Sequence, residues 1–440
     1  MSALSESLAA VPLPAVLTAD PTPALIRRNT IYLALAQMFV GTGTLFTGSM
    51  GPLMIESLLG SPLLVGLSTA VVAGSRFIAS YSFGLVTDRF GRRSGLFLGL
   101  GLGLAGATVI GTAMQARWFP GVITGMVIFS MGMNGVQQLR LAAAEMYPPS
   151  RRAVIIGFML TGSLVGVVMA PPTISLAFSL APLLGLGDLA MPWFIFPALI
   201  VPALVLVTRV RPDPREIAAD LTRYFPSYVP PVSQVATDSS PFGPREFFAD
   251  AERRIAAVTM LFAQAAMNMA MVTVPIQLHH HGLELPAVAL SISIHVGGMF
   301  GPSIPMGKLA DRFGRGPVLI AGALIEAIGA GITTFTSDHA SVTFGVFLVG
   351  VGWCAANVAS SAMVIDSAPG HARGRAVGLL DTFTVAGLFL PLSVGVLISV
   401  WGLQLAGLVA MVLAILPLLL RRLLADDSIV PWPKALRRPA

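Results

Sequence analysis

The decapeptide GLVTDRFGRR at residues 84–93 recurs as GKLADRFGRG at residues 307–316. A second motif, EMYPPSRRAVIIG at residues 145–157, has a counterpart in DSAPGHARGRAVG at residues 366–378. The two pairs are offset by 223 and 221 residues. Motifs that repeat at a near-constant spacing indicate that the chain contains two consecutive units of the same design.

The composition excludes a water-soluble protein. Of 440 residues, 55% are hydrophobic and 11% are charged, whereas a soluble protein has roughly 25% charged residues. The mean hydropathy is +0.81. A chain with so little charge cannot cover a soluble surface, so we expect a polytopic membrane protein and no enzyme.

Twelve apolar runs are long enough to cross a bilayer core, which takes roughly 20 helical residues. They lie at 31–56, 62–86, 94–114, 119–143, 153–180, 190–208, 255–278, 285–308, 316–336, 341–365, 374–400 and 402–420. The sequence predicts an N-terminal segment (1–29), a six-helix bundle (30–208), a polar linker (209–254), a second bundle (255–422) and a tail (423–440).

The basic residues predict the orientation. Almost all of the 27 Lys and Arg residues fall in the segments that share one side with the N-terminus, which the positive-inside rule assigns to the cytoplasm. We therefore expect a multi-pass protein of the plasma (inner) membrane, with both termini cytoplasmic and no cleaved signal peptide. The net charge of +6 is then a topology signal, and no nucleic-acid partner is expected.

The two DRFGR loops resemble the signature loop of the major facilitator superfamily, over residues 30–422. The resemblance implies an all-α membrane protein with twelve transmembrane helices in two pseudo-symmetric six-helix bundles. It also implies that helices one, two, four and five of each half face a central cavity. It further implies that Asp88 engages the cytoplasmic end of the eleventh helix and Asp311 that of the fifth.

The physical chemistry of the loops is consistent with a conformational gate. A carboxylate favours the N-terminus of a helix, and arginines can pair with carboxylates across the seam between the halves. The alternative is an interfacial anchor that only sets topology. The predicted gating residues are Gly84, Asp88, Arg89, Gly91, Arg92, Gly307, Asp311, Arg312, Gly314 and Arg315.

Polar side chains at membrane depth are candidate substrate ligands, because each needs a partner or a wet cavity. Those predicted to bind substrate are Arg76, Asn134, Gln138, Arg140, Gln264, Asn268 and Asn357. The amides could instead be interhelical hydrogen-bonding groups, and Arg140 could extend to the inner surface. For proton coupling the candidates are His295 and Asp381, although His295 could be a packing residue and Asp381 a helix-end group.

The predicted function is proton-coupled export of a small organic molecule by alternating access. Family marks are incomplete: the fourth helix (MVIFSMGMNG, 126–135) lacks the arginine of many proton-coupled members, and the fifth-helix pattern of exporters is only partly present (GSLVGVVMAPPTIS, 162–175). Two alternatives stay open: an uptake carrier for an organic or inorganic anion, and a receptor or assembly factor that transports nothing. The expected partners are the substrate, lipid and protons, and the chain is expected to be a monomer. No cofactor or metal is expected, and His279–His281 are assigned to a solvated outer loop.

Overall fold

The computed structural model describes residues 21–60, 66–229, 242–280, 285–389 and 403–424, and all regular structure within them is helical. The α-helices are α1 (Ala24–Leu59), α2 (Gly66–Phe90), α3 (Arg92–Gln115), α4 (Phe119–Val136), α5 (Leu139–Glu145), α6 (Pro149–Leu180), α7 (Met191–Arg209), α8 (Pro214–Ala219), α9 (Leu221–Tyr224), α10 (Pro244–Ala249), α11 (Ala251–His280), α12 (Leu285–Phe300), α13 (Ser303–Phe313), α14 (Arg315–Phe335), α15 (His339–Ser367), α16 (Arg373–Ala386) and α17 (Leu403–Leu424).

Eight helices within the described residues are long and apolar enough to cross a membrane. Helices suit this setting because they satisfy every backbone hydrogen bond internally, where no water is present to do so. The predicted fold class is confirmed. Residues 390–402, which end the predicted eleventh span, lie outside the described residues, as do His281 and residues 1–20 and 425–440.

Two predicted spans are interrupted. The fourth is divided between α4 and α5, with a turn at Gln137–Gln138, and the eighth between α12 and α13, with a turn at Gly301–Pro302. Proline has no amide hydrogen and crowds the preceding turn, which accounts for the second break.

Each half has its own apolar core. In the first half, the ring of Phe129 meets those of Trp193 and Phe196 edge-on, at centroid distances of 5.2 and 5.1 Å. The core of the second half extends over the seam to include Leu141 and Ile156 of the first half. Buried apolar surface is therefore continuous between the two halves where Leu141 and Ile156 lie.

The halves approach most closely at the end that holds both DRFGR loops, called the gate end below. There α2 packs against α16, and α13 packs against α6. A Cβ atom at Gly84 would overlap the carbonyl of Gly374, and one at Gly307 would overlap the carbonyl of Ala153. Glycine is required at these positions because the backbones of opposite halves touch.

The linker contributes to the gate end. Asp213 accepts hydrogen bonds from the backbone amides of Arg92 (3.3 Å) and Arg93 (3.0 Å), so it caps the N-terminus of α3. On the second half, the carbonyl of Phe242 accepts a hydrogen bond from Arg375 (2.8 Å). The linker therefore contacts both halves.

Candidate transport site and its gate

Asp88 joins the two halves at the gate end. Its carboxylate accepts hydrogen bonds from the backbone amides of Gly374 (2.8 Å) and Arg375 (2.9 Å), and from the Arg375 guanidinium (3.1 Å). The amides belong to the first turn of α16, where the helix dipole and unpaired N–H groups favour a negative charge. The contact implied for the eleventh helix is confirmed.

Asp311 makes the equivalent contact with α6, beyond the end of the eighth predicted span. It accepts hydrogen bonds from the amides of Ala153 (3.2 Å) and Val154 (2.8 Å). Burial raises the pKa of Asp311 to about 6, although the nearby Arg315 guanidinium and the two amides act in the opposite direction. The second copy is therefore held less favourably in its ionised form than a solvated aspartate.

Arg92 and Arg315 hold these aspartates in place from within their own halves. Arg92 contacts Asp88 (2.9 Å) and Glu145 (2.7 Å). Arg315 contacts Asp311 (2.8 Å) and Asp366 (3.1 Å). The sequence had suggested that these arginines could pair with carboxylates of the opposite half. Among the described residues, neither of them does.

At the gate end, the cross-half ion pairs come from arginines that sequence reasoning did not select. Arg152 contacts Asp366 across the seam (2.8 Å), and Arg373 approaches Glu145 (4.0 Å). These four residues occupy equivalent places in the second repeated motif, 145–157 and 366–378. The duplication was therefore the signal that could have found them.

Two predicted gating residues take no part in the hydrogen bonds and ion pairs that join the halves among the described residues. Arg89 and Arg312 are exposed, and their guanidinium carbons lie 5.2 and 5.3 Å from the ring centroids of the adjacent phenylalanines. Each follows its aspartate directly and so points to another side of the helix, and their gating role stays a prediction. Gly91 and Gly314 do have a structural role: with φ of +90° and +93° they are the N-cap residues of α3 and α14.

Between the halves lies a cavity of about 310 Å³. Six of the predicted site residues line it, namely Arg76, Asn134, Arg140, Gln264, Asn357 and Asp381, and they come from both halves. Residues that the sequence did not single out also line it: Gln37, Gly41, Gln137, Leu160, Ser163, Val167, Val296, Met299, Phe300, Trp353, Thr384 and Val385, together with Met267.

Three charged side chains line the cavity in the described part of the chain. Arg140 forms an ion pair with Asp381 across the halves, so it does not extend to the membrane surface. Arg76 is half-buried, and its Nε lies 3.5 Å from the Asn134 amide oxygen. Within the described residues, no carboxylate lies within 4 Å of Arg76.

Two predicted ligands do not line the cavity. The chain forms a turn after α4, with the Gln137 amide bonded to the Asn134 carbonyl, and this places Gln137 on the cavity wall in place of Gln138. In an unbroken helix, Gln138 would share one face with Asn134, four residues before it. Asn268 donates to the Gln264 carbonyl on its own helix (2.7 Å).

Two side-chain amides of the cavity wall keep a hydrogen-bonding group that is available to a substrate. Gln37 donates to Ser163 (2.8 Å), while its own side-chain oxygen is buried without a hydrogen-bond partner in the described structure. The oxygen of Gln264 accepts from the Trp353 indole (3.0 Å), so its amide nitrogen remains as a donor.

His295 is buried away from the cavity wall. Its Nδ1 lies 2.7 Å from the Val346 carbonyl of α15, and it is 1% exposed. The imidazole therefore packs between helices, as the alternative interpretation of this residue held.

The chain matches the family model described as Major Facilitator Superfamily, over residues 33–301 and 256–439. The chain belongs to the major facilitator superfamily. An uncharacterized MFS-type transporter of Bacillus subtilis, YddS, is 27% identical over 363 residues, which cover 81% of each chain. The riboflavin transporter RfnT of Brucella anthropi is 26% identical over 365 residues, 81% of this chain and 85% of the relative.

Solved structures of the superfamily share the fold. A double tryptophan mutant of XylE superposes with a TM-score of 0.74 and 15% identity, over 91% of this chain and 96% of that one. The chain is thus a multi-pass membrane protein of a transporter family, with the predicted two-bundle architecture.

Proposed function

We propose that this superfamily member is a secondary transporter that carries a small organic anion through the central cavity. The observation that supports it is the charge of the wall. Arg140 and Asp381 form an ion pair, whereas Arg76 lines the cavity with an amide oxygen at 3.5 Å and no carboxylate within 4 Å among the described residues. A guanidinium at this depth is costly unless a negative charge compensates it, and its fork of donors suits a carboxylate or sulfonate.

The rest of the wall supports a substrate with an apolar body. Met267, Met299 and Phe300 supply a pliable apolar surface opposite the arginines. Gln37 offers an acceptor and Gln264 a donor for further polar groups. A cavity of about 310 Å³ is at the small end of ligand pockets, which favours a metabolite over a large drug.

In this proposal, the contacts at the gate end control the conformational change of the transporter. The Asp88 and Asp311 contacts join the halves in this gate-closed structure and would break when the halves rock apart at that end. We place the gate end in the cytoplasm and the chain in the inner membrane as a monomer, in line with the positive-inside pattern.

Export of an uncharged, lipophilic molecule is the second candidate. The methionine and aromatic wall favours it, because such surfaces adapt to varied ligands. The relative named as a riboflavin transporter suggests a fused-ring substrate as one form of this candidate. In a proton-coupled form of either transport function, Asp381 would carry the proton, because His295 does not line the described cavity.

Binding to the purified chain separates these candidates. We expect benzoate and benzenesulfonate to raise the melting temperature, and benzamide, which has the same ring without the charge, to have no effect. Arg76→Gln should abolish this preference for anions. Asn268→Ala is the matched control, because Asn268 is polar but lies off the cavity wall.

Flux into proteoliposomes then tests transport itself. Saturable benzenesulfonate flux supports a carrier, and binding without flux would identify a receptor of the same fold. Stabilisation by benzamide equal to that by benzoate would refute the anion proposal and favour the uncharged substrate.

A further inference from the structure

We infer that this transporter is an anion exchanger, in which the empty site cannot reorient and one anion must return for each anion carried. The inference rests on the proposed function and adds its mode of operation. It follows from the charge of the cavity wall in the described part of the chain, which is +1 when no substrate is present.

The surplus charge is fixed. Of the three charged groups in the wall, Asp381 is paired with Arg140, and the surplus belongs to Arg76. A lysine could shed its proton when it is enclosed, but a guanidinium keeps its charge at all relevant pH values. The other polar groups of the described wall are amides and hydroxyls, which supply no compensating charge.

Glu326, an acid buried in the second half, does not line the site. Glu326 is 1% exposed and lies on α14, where a Cβ at Gly352 of α15 would meet its side chain. It is not part of the cavity wall, and both its oxygens lack hydrogen-bond partners in the described structure. The charge of Arg76 therefore has to be compensated from the solvent or by the substrate.

Reorientation imposes a condition on this charge. Alternating access passes through a state in which the cavity is closed at both ends and has lost its connection to bulk water. An uncompensated cation there is expensive, whereas a bound monoanion brings the net charge of the wall to zero. The loaded carrier therefore moves and the empty carrier waits for another anion.

A proton cannot replace the anion in this scheme. Asp381 is ion-paired with Arg140, and Arg76 is the other charged group of the described wall. A proton on Asp381 would leave both arginines uncompensated and raise the charge of the empty wall to +2. Asp381 is thus the counter-charge of Arg140 in this gate-closed state, and a proton-coupled cycle is the outcome that opposes the inference.

The test measures efflux of radiolabelled benzenesulfonate from liposomes that contain the full chain. This probe keeps one negative charge throughout the usable pH range. We expect efflux to be about a hundredfold slower without external benzenesulfonate than with it, the factor that the least costly scale gives for one charge at membrane depth. Exchange should not respond to a membrane potential, because equal charges cross in both directions.

Asn134→Asp is the decisive variant. It places a carboxylate beside Arg76, at a position now 3.5 Å from its Nε, so the empty wall becomes neutral. We expect weaker anion binding and efflux that no longer requires external anion. Asn134→Ala removes the same amide without adding a charge, so its efflux should still require external anion.

The outcomes separate the two proposals. If benzenesulfonate binds and leaves at the same rate with and without external anion, exchange is refuted while the anion carrier stands. The same holds if a pH gradient alone drives efflux and Asp381→Asn abolishes it. If neither benzoate nor benzenesulfonate binds, the proposed function itself fails.

Discussion

Replacement of Asp88 by asparagine should shift the chain away from the gate-closed state. Asp88 accepts three hydrogen bonds from the opposite half, two from amides of α16 and one from Arg375. Asparagine keeps one acceptor oxygen and no charge, so either the bond from Gly374 or both bonds from Arg375 are lost, and those that remain no longer end on a charged group. A bond to a charged group contributes about 1.5–3 kcal/mol and a neutral bond about 1 kcal/mol, so the closed state loses about 3 kcal/mol.

The loss applies mainly to the closed state. When the gate opens, water replaces the α16 contacts, and the energy of the open state changes little. Arg92 remains compensated in the variant, because it also contacts Glu145 at 2.7 Å. A difference of about 3 kcal/mol is a factor of about a hundred, so an almost fully closed population would become about half open.

Distances between spin labels report this shift. Arg89 and Arg312 are exposed at the gate end on opposite halves, so cysteines there, in a Cys354→Ser background, take nitroxide labels without disturbing the network. The long-distance population should grow in Asp88→Asn, and transport should fall more than substrate binding. Glu216→Gln, an equivalent change at an exposed linker residue, is the control. Unchanged distances with equal losses of binding and transport would refute the gating role.

Three further predictions use the same labels or binding assay. Asp311→Asn should have a milder effect than Asp88→Asn. The pKa of Asp311 is raised to about 6 in the closed gate and returns to about 4 in water when the gate opens. The closed population should therefore grow as the pH falls from 7 to 5, and Asp311→Asn should remove this pH dependence. A closed population of the wild-type chain that does not change with pH would contradict the prediction. Gly84→Ala should open the gate, since its Cβ would overlap Gly374, whereas Gly74→Ala, with no atom within 4 Å of its Cβ, should not. Arg76→Lys should weaken benzoate binding roughly tenfold by loss of the bidentate fork, and unchanged affinity in both this variant and Arg76→Gln would exclude a contact with the substrate.

The contacts of Asp88 and Asp311 could be predicted because their loops are duplicated. Repetition at a fixed offset marked the aspartates, and the family resemblance implied their partner helices, in keeping with helix-end electrostatics. The same repeat explains the asymmetry between the two copies. Arg375 adds its side chain to the Asp88 contact, whereas Val154 stands at the equivalent position and offers Asp311 only its amide.

The cavity wall was harder to predict because it depends on local helix geometry. Because the chain turns after Val136, Gln137 lines the cavity where Gln138 was predicted to, and no residue pattern in the sequence marks that turn. Gln37 was not selected, since a single amide in a long apolar run has no periodic partner. The pairing of Arg140 with Asp381 also required the structure, because the residues are 241 positions apart. The domain boundaries at 209 and 254 stay predictions.

The transport site and the gate share the same two helices, which ties substrate occupancy to gating. Helix α2 carries Arg76 and Asp88, and α16 carries Arg375 and Asp381. These helices touch backbone to backbone, so they must separate when the gate opens. That movement also draws Asp381 away from Arg140, which lies on α5 of the opposite half. An anion bound beside Arg76 can then compensate Arg140 as the pair parts, whereas the empty site would leave both arginines without a partner. In the proposed mechanism, the cavity charge that selects an anion is therefore also what makes gate opening depend on one.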